Sequence, residues 1–441
     1  MRDILNKALS LIKESNHEGQ INVFMENIKT CSFTSGKINE LTEGNTASVG
    51  IKIIDKEGKT ANSVTNIITE DGILDAVKKC LSLVKYCEPE ENNGISNEKD
   101  FINLDWTYDQ DTENVSLDTI MEMAKSLEEK ARAIDKRIQF VRNSKIETKS
   151  NNIIFANTND VFKEGKYTLA MAQISLSAVE EGKSSMGFEF DINRSYKLID
   201  LDKVAKNVAK RAISGLNAVI LNSGRYDIIL SPYVSASLLG VMGMALSGEN
   251  VCKGKSFLKD KIDTKIANEN VTLVNDPINK TSPSAASFDN EGINTKEFSF
   301  IEKGVLKTYA HNIYSANKLN TKPTGNAFAS SGNPIPSINA INMHMTPNSS
   351  LDEVMNSGKT LYINNVMGLH TADPISGRFS IQISGQVVEN GEFKESFRGM
   401  TMAGTALELM ENIEKIADDF KSMGSTSGST MLIKNMSVGG K

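Results

Sequence analysis

Histidine and cysteine are the scarce residues of this 441-residue chain. There are four of each: His17, His311, His344 and His370, and Cys31, Cys80, Cys87 and Cys252. They are dispersed, and no pair has the short spacing of a zinc finger or ribbon. An HExxH site is excluded as well. The one His-Glu pair is His17-Glu18, and position 21, where a second histidine would share the helix face, is Ile21. An excess of positive charge is also lacking: 49 Lys and Arg stand against 55 Asp and Glu, a net charge of -6. That balance gives no general attraction to nucleic acid. The densest basic stretch, Lys253, Lys255, Lys259 and Lys261, reads as solvated surface. Long apolar runs are missing too. The best window, 234–246, is too short to cross a bilayer and is interrupted by serine and glycine. The first sixteen residues lack the unbroken apolar core of a signal peptide and instead place Leu5, Leu9 and Ile12 on one face of an amphipathic helix. These absences predict a cytoplasmic protein with reduced thiols and no direct contact with nucleic acid or membrane.

What is present is an ordinary globular composition, 39% hydrophobic and 24% charged. The patterning predicts an α+β protein of two domains. Residues 1–220 form a mixed N-terminal part. Residues 221–441 form a β-rich part, antiparallel and barrel-like, with a few helices, and 217–224 is the boundary. In the first part, strands are expected at 21–33, around 49–53, at 138–141, at 152–157 and at 167–179. Helices are expected at 73–84, after Ser116, and at 201–216. In the second part, 226–230 is a short strand. Ser231-Pro232 then opens a helix, because proline at the first helical position has no N–H to lose. That helix ends near Ser247-Gly248. Asn390-Gly391 sits between apolar runs and predicts a hairpin over 387–393, and Glu302-Lys303-Gly304 is placed in the same way. Thr405 and Glu408 have capping-box spacing, and Leu409, Ile413, Ile416 and Phe420 extend an apolar stripe into a final helix. Residues 431–438 return as a last strand.

Few residues announce chemistry. No GxGxxG follows a strand. Gly254-Lys255-Ser256 matches the end of a phosphate loop, but Gly248 lies one residue too far upstream. There is no GxSxG, and five Ser-x-x-Lys pairs, such as Ser256 with Lys259 and Ser315 with Lys318, match the number chance allows in so Ser- and Lys-rich a chain. Cys252 lies in a Gly- and Lys-rich stretch of the kind that lowers a thiol pKa; the alternative is a small packing residue. His370 and Asp373 offer two ligand atoms or a structural loop. Asp289 and Glu291 offer a cation site or a turn.

The second half nonetheless has an order of segments that resembles the TldD/PmbA family. It runs strand, Ser231-Pro232, helix, Leu246-Ser247-Gly248-Glu249-Asn250, Gly254-Lys255-Ser256-Phe257-Leu258, Asn275-Asp276-Pro277, Phe288-Asp289-Asn290-Glu291-Gly292, Thr324-Gly325-Asn326, Val387-Val388-Glu389-Asn390-Gly391, and Gly399 to Gly404 before the last helix. The resemblance points to the PmbA (TldE) branch. It implies a two-subunit zinc metallopeptidase that cleaves unfolded peptides, in peptide maturation and proteolysis. In such a pair the TldD-like subunit carries HExxxH on the helix after the Pro-capped strand, and a later cysteine completes the zinc site. Here Gly240 stands where the first histidine would be, Val241 where the glutamate base would be, and Ala245 where the second histidine would be. The segment Val366 to Asp373 has no cysteine. The resemblance therefore implies a non-catalytic subunit with no metal of its own and no catalytic residue. Zinc is expected in a TldD-like partner, and the substrate is expected to be an extended peptide bound by strand addition; glycine-rich 385–391 and 399–404 either border its cleft or make tight turns. Two further readings are a homodimeric binding or scaffold protein, in line with the family's other name, modulator of DNA gyrase, and a stand-alone hydrolase with an unrecognised site.

Overall fold

The computed structural model describes residues 1–330 and 333–441. The first half is built on one six-stranded sheet. Its spatial order is Thr60–Thr65, Lys37–Ile54, Glu18–Thr34, Ile138–Asn157, Phe162–Glu180 and Lys183–Asn193, antiparallel throughout. The sheet buries one face under four helices. At one end Arg2–Glu14 and Glu70–Val84 place Leu5, Ala8, Ile12, Ile73 and Val77 against Ile21, Val23, Ile51 and Ile53. At the other end Leu117–Ile134 and Leu201–Ser214 place Ile120, Leu127, Val204 and Val208 against Ile146, Ala172, Ile174 and Leu176. Alternate residues of each strand reach the helices, as a period of two requires.

One strand differs from the sequence reading. Residues 138–141 and 152–157 are the two ends of a single strand, Ile138–Asn157. Its middle is polar and reads as a loop. In the structure Ser144 is buried and its hydroxyl donates to the Ala124 carbonyl at 2.8 Å, so a helix supplies the partner that lets a polar strand be covered.

The outer margin of Lys183–Asn193 has no strand beside it. Some of its main-chain groups are engaged from elsewhere. The Phe190, Ile192 and Arg194 amides donate to the side chains of Glu189, Asp191 and Asn193 at 3.2, 3.1 and 2.8 Å. The Ser184 and Phe188 carbonyls accept from Arg398 at 3.2 Å and Arg211 at 3.1 Å.

The second half closes a β-barrel. Around it run Glu392–Thr405, Arg378–Glu389, Lys359–Met367, Gly224–Leu230 and Met431–Gly439, which pairs back onto Glu392–Thr405. All these pairs are antiparallel except Lys359–Met367 with Gly224–Leu230. Ile228, Leu230, Leu361, Ile363, Ile381, Ile383, Met400, Met402 and Met436 belong to the buried core of this half. The hairpin at Asn390-Gly391 forms as predicted, with φ of 49° and 79°.

The last helix is shorter than its stripe suggests. Thr405 caps Ala406–Glu411, its hydroxyl accepting from the Glu408 amide at 3.1 Å, and the helix stops at Asn412. Ile413–Ile416 is a strand paired to Met431–Gly439. Isoleucines three apart fit a helix face, and a bulge between Ile413 and Lys415 brings both to the buried side of the strand. The open flank of Met431–Gly439 decides it, burying both isoleucines completely. Phe420 lies beyond the strand, its ring 5.1 Å from that of His344. Among the described residues no helix is long and apolar enough to cross a membrane.

Candidate functional site

The residues that the sequence singles out centre on the helix Pro232–Ala245, which follows a barrel strand directly. Ser231 caps it, accepting from the Val234 amide, and Pro232 occupies its first turn. One side is pressed against the strand Ser427–Gly428. The Ser235 hydroxyl donates to the Ser429 carbonyl at 2.8 Å, and a Cβ at Gly428 would lie 1.9 Å from the Pro232 carbonyl oxygen. Only glycine permits that approach.

The helix is regular, so positions five apart point in different directions. Gly240 is exposed, and a Cβ there would meet no atom within 4 Å. Val241 is half-buried against the barrel core. Ala245 is wholly buried. The short helical turn Leu369–Thr371 packs beside this helix, so the fold does bring the 366–373 segment to the residues the sequence reading paired with it. It does not bring donors. Gly240 has no side chain, and Val241 and Ala245 carry no lone pair. This set does not fit a zinc ion. No group of three or more His, Cys, Asp and Glu converges anywhere among the described residues.

Most of the remaining candidates have structural partners, while His370 is exposed in the turn Leu369–Thr371. Asp373 is committed to a turn. Its oxygens accept from the Ile375 amide at 2.9 Å and from the amide and hydroxyl of Ser376, and these bonds hold its carboxyl below the usual range. Asp289 is a turn former as well. It accepts from the Glu291, Ile293 and Ala327 amides at 2.9, 3.0 and 2.9 Å, while burial, with Glu291 beside it, pushes its carboxyl up to about 8. Glu291 accepts from the Ile313 amide at 2.6 Å and faces Lys52 at 3.7 Å. Of the two readings of Cys252 the structure favours packing: desolvation outweighs the nearby lysine and pushes its thiol up. Ser256 donates to the Ala245 carbonyl at 2.6 Å, and Lys318 bonds to the Tyr314 hydroxyl at 2.9 Å, so neither completes a Ser-Lys dyad. The glycine-rich segments divide. Gly391 makes the hairpin turn. Gly385 lets strands close up, since a Cβ there would sit 1.9 Å from the Tyr362 carbonyl. Gly399, with φ of 71°, borders a groove of about 880 Å³ with Arg142, Met186, Met367 and Arg398.

A second concavity, of about 380 Å³, opens at the first turn of the helix between the two halves of the chain. Glu189, 4% exposed, lies in it between Arg211 at 3.0 Å and Lys421 at 3.5 Å. Tyr233 stacks edge-on to Phe190 at 6.1 Å, and Lys210 stands 4.9 Å over Phe393. The sequence reading missed these residues. They come from both halves and share no local pattern. The alternation of Phe188, Phe190 and Ile192 with Glu189 and Asp191 reads Glu189 as a solvated position, whereas it is buried.

A helix-bearing closed barrel joined to a long helix-covered sheet is the architecture of a known class of metallopeptidase-like proteins. Models described as the PmbA/TldA metallopeptidase central and C-terminal domains match residues 110–216 and 223–440. A metalloprotease PmbA homologue of Haemophilus influenzae is 24% identical over 454 residues, covering 100% of this chain and 96% of the relative. A Thermotoga maritima structure bearing the name modulator of DNA gyrase is 26% identical with a TM-score of 0.88, covering 99% of each chain. TldE from Thermococcus kodakarensis has the same fold, with a TM-score of 0.92 over 99% of this chain and 100% of that one at 18% identity. The chain belongs to the PmbA/TldD family.

Proposed function

We propose that this chain is the subunit without zinc in a two-subunit peptidase, working beside a TldD-like partner on unfolded peptides. The observation that carries the proposal is the Pro232–Ala245 helix. Its cap, its first-turn proline and its packing on Gly428 are all in place, yet Gly240, Val241 and Ala245 supply neither a ligand nor a base. A helix held this closely and offering no donor suits a wall of a cleft rather than its reaction centre. Family members carrying both the PmbA and TldD names support a paired arrangement. The concavity at the first turn of the helix, lined by Lys210, Arg211, Lys421, Tyr233 and Phe393, suits a peptide chain lying across the junction of the halves, and the groove beside Gly399 adds Arg142 and Arg398. The 190–194 end of the Lys183–Asn193 margin has its amides engaged by side chains, so a peptide lying there is held through side chains, and main-chain pairing falls to the 184–188 end or to the partner.

The test is co-expression with a TldD-like chain carrying HExxxH, followed by purification and assay on an unfolded peptide. The expected result is a complex with zinc traceable to the partner and cleavage only by the pair. Failure to form a complex, or stoichiometric zinc with cleavage by the isolated chain, defeats the proposal.

A further inference from the structure

The two halves also meet over an inner cavity of about 220 Å³, away from the helix just described. Tyr167 comes from the first sheet, Phe288 from the loop that crosses to it, and Phe328 and Ile341 from the second half; Arg194 closes one side. The charged residues in the wall are Arg194 and Lys166, and the wall contains no Asp or Glu. Arg194 is 8% exposed. Its Nη1 donates to the carbonyls of Thr107 at 3.3 Å and Thr168 at 3.4 Å, and its Nη2 to that of Ala285 at 2.7 Å. Its Nε–H finds no acceptor among the described residues, and the uncharged ring of Tyr167 lies 5.9 Å away.

A buried guanidinium ordinarily pairs with a carboxylate, because a desolvated cation without a counter-ion is unfavourable. Here the pairing is left open beside a space lined by rings and aliphatic groups. We propose that this cavity binds a molecule or chain end carrying one carboxylate on an apolar group. Arg194 serves as the counter-ion, Lys166 stands at the rim, and Phe288, Phe328 and Ile341 surround the apolar body. Inorganic phosphate suits the cation but not these walls, since it has no apolar surface to bury. The same chemistry comes from two sources, a free aromatic or aliphatic acid and the C-terminal residue of a peptide. Thr107, Gly165, Lys166 and Ser287 also border a neighbouring surface concavity of about 390 Å³.

Trp106, the single tryptophan, adjoins Thr107 and gives a fluorescence reporter. The experiment titrates the full chain with N-acetyl-L-phenylalanine, 3-phenylpropanoate, N-acetyl-L-phenylalaninamide and inorganic phosphate, by Trp106 fluorescence and by calorimetry. Saturable binding is expected for the two acids. The amide should bind roughly tenfold or more weakly, the loss of one charged hydrogen-bonding pair, and phosphate should bind more weakly still. A tighter fit for N-acetyl-L-phenylalanine assigns the peptide end, and a tighter fit for 3-phenylpropanoate the free acid; either supports the site. Arg194→Met should lose acid binding. Because Arg194 also ties three carbonyls together, Ala329→Trp serves as a second variant, filling the cavity while leaving the guanidinium in place, and it too should lose binding with circular dichroism unchanged. Absence of binding to either acid by the unaltered chain, equal binding of the amide, tightest binding of phosphate, or binding that persists in Ala329→Trp overturns the proposal.

Discussion

Grafting the family's zinc residues onto this helix, as Gly240→His, Val241→Glu and Ala245→His together, gives a sharp test of the geometry. At about 100° per residue, positions 240 and 245 of a regular helix point about 140° apart. Gly240 faces open space, so its histidine fits at no steric cost and gains slightly in helix propensity. Ala245 is wholly buried, and its carbonyl already holds Ser256. An imidazole there overpacks the barrel core, at about 1–3 kcal/mol. It also buries a polar ring without a partner, at about 1–3 kcal/mol more. A combined loss of about 4 kcal/mol lowers the midpoint of thermal unfolding by roughly 8–16 °C for a unit of this size. Gly240→His alone should leave the midpoint unchanged. Because the two imidazoles diverge, the triple variant should retain no stoichiometric zinc after dialysis. Thermal unfolding followed by circular dichroism, with metal analysis of the same samples, checks both parts. A triple variant that unfolds at the original temperature with one zinc per chain refutes the reasoning, since it would require the helix to rearrange freely.

His311 is buried and its imidazole is pushed down to about 4 by desolvation. Its neutral form is favoured in the folded chain, so its contribution is present above the unfolded value of about 6.5 and is lost as pH falls from 6.5 toward 4. Across that window the difference in urea stability between the parent chain and His311→Leu should change by about 3 kcal/mol, with the raised Asp289 carboxyl, which acts in the opposite sense, common to both. Gly428→Ala forces its Cβ into the Pro232 carbonyl and should cost more than about 2 kcal/mol, read as a lowered urea midpoint with unchanged slope. Ser231→Ala removes the helix cap and should cost about 1 kcal/mol in the same measurement.

Local chemistry was the legible part of this sequence. Ser231-Pro232 marked a helix start because a cap and a missing N–H act within four residues, and Asn390-Gly391 marked a turn because its φ values are a local matter. What escaped depended on partners distant in sequence. Ile413 and Ile416 became a strand because Met431–Gly439 had a flank to offer, and the polar middle of Ile138–Asn157 could be buried because Ala124 accepts from Ser144. Parallel pairing of Gly224–Leu230 with Lys359–Met367 joins segments more than a hundred residues apart, and nothing in either announces the other. At the site, Gly240, Val241 and Ala245 could be named from sequence order, but the setting of Glu189 between Arg211 and Lys421 could not. For Cys252 the structure favours the packing alternative, since desolvation outweighs the nearby lysine and pushes the thiol up.

The row of Glu189, Asp191 and Asn193 along the last strand of the first sheet has a bearing on solubility and on partner choice. A strand margin with bare amides is adhesive toward any extended chain, including another copy of itself. Here three successive outward amides are already engaged by the residue before them, and two carbonyls are held by arginines from other elements. One end of the margin is insulated without being covered. An extended chain meeting that end is selected by shape and charge, and replacing Glu189 and Asp191 by alanine would lengthen the stretch open to main-chain pairing.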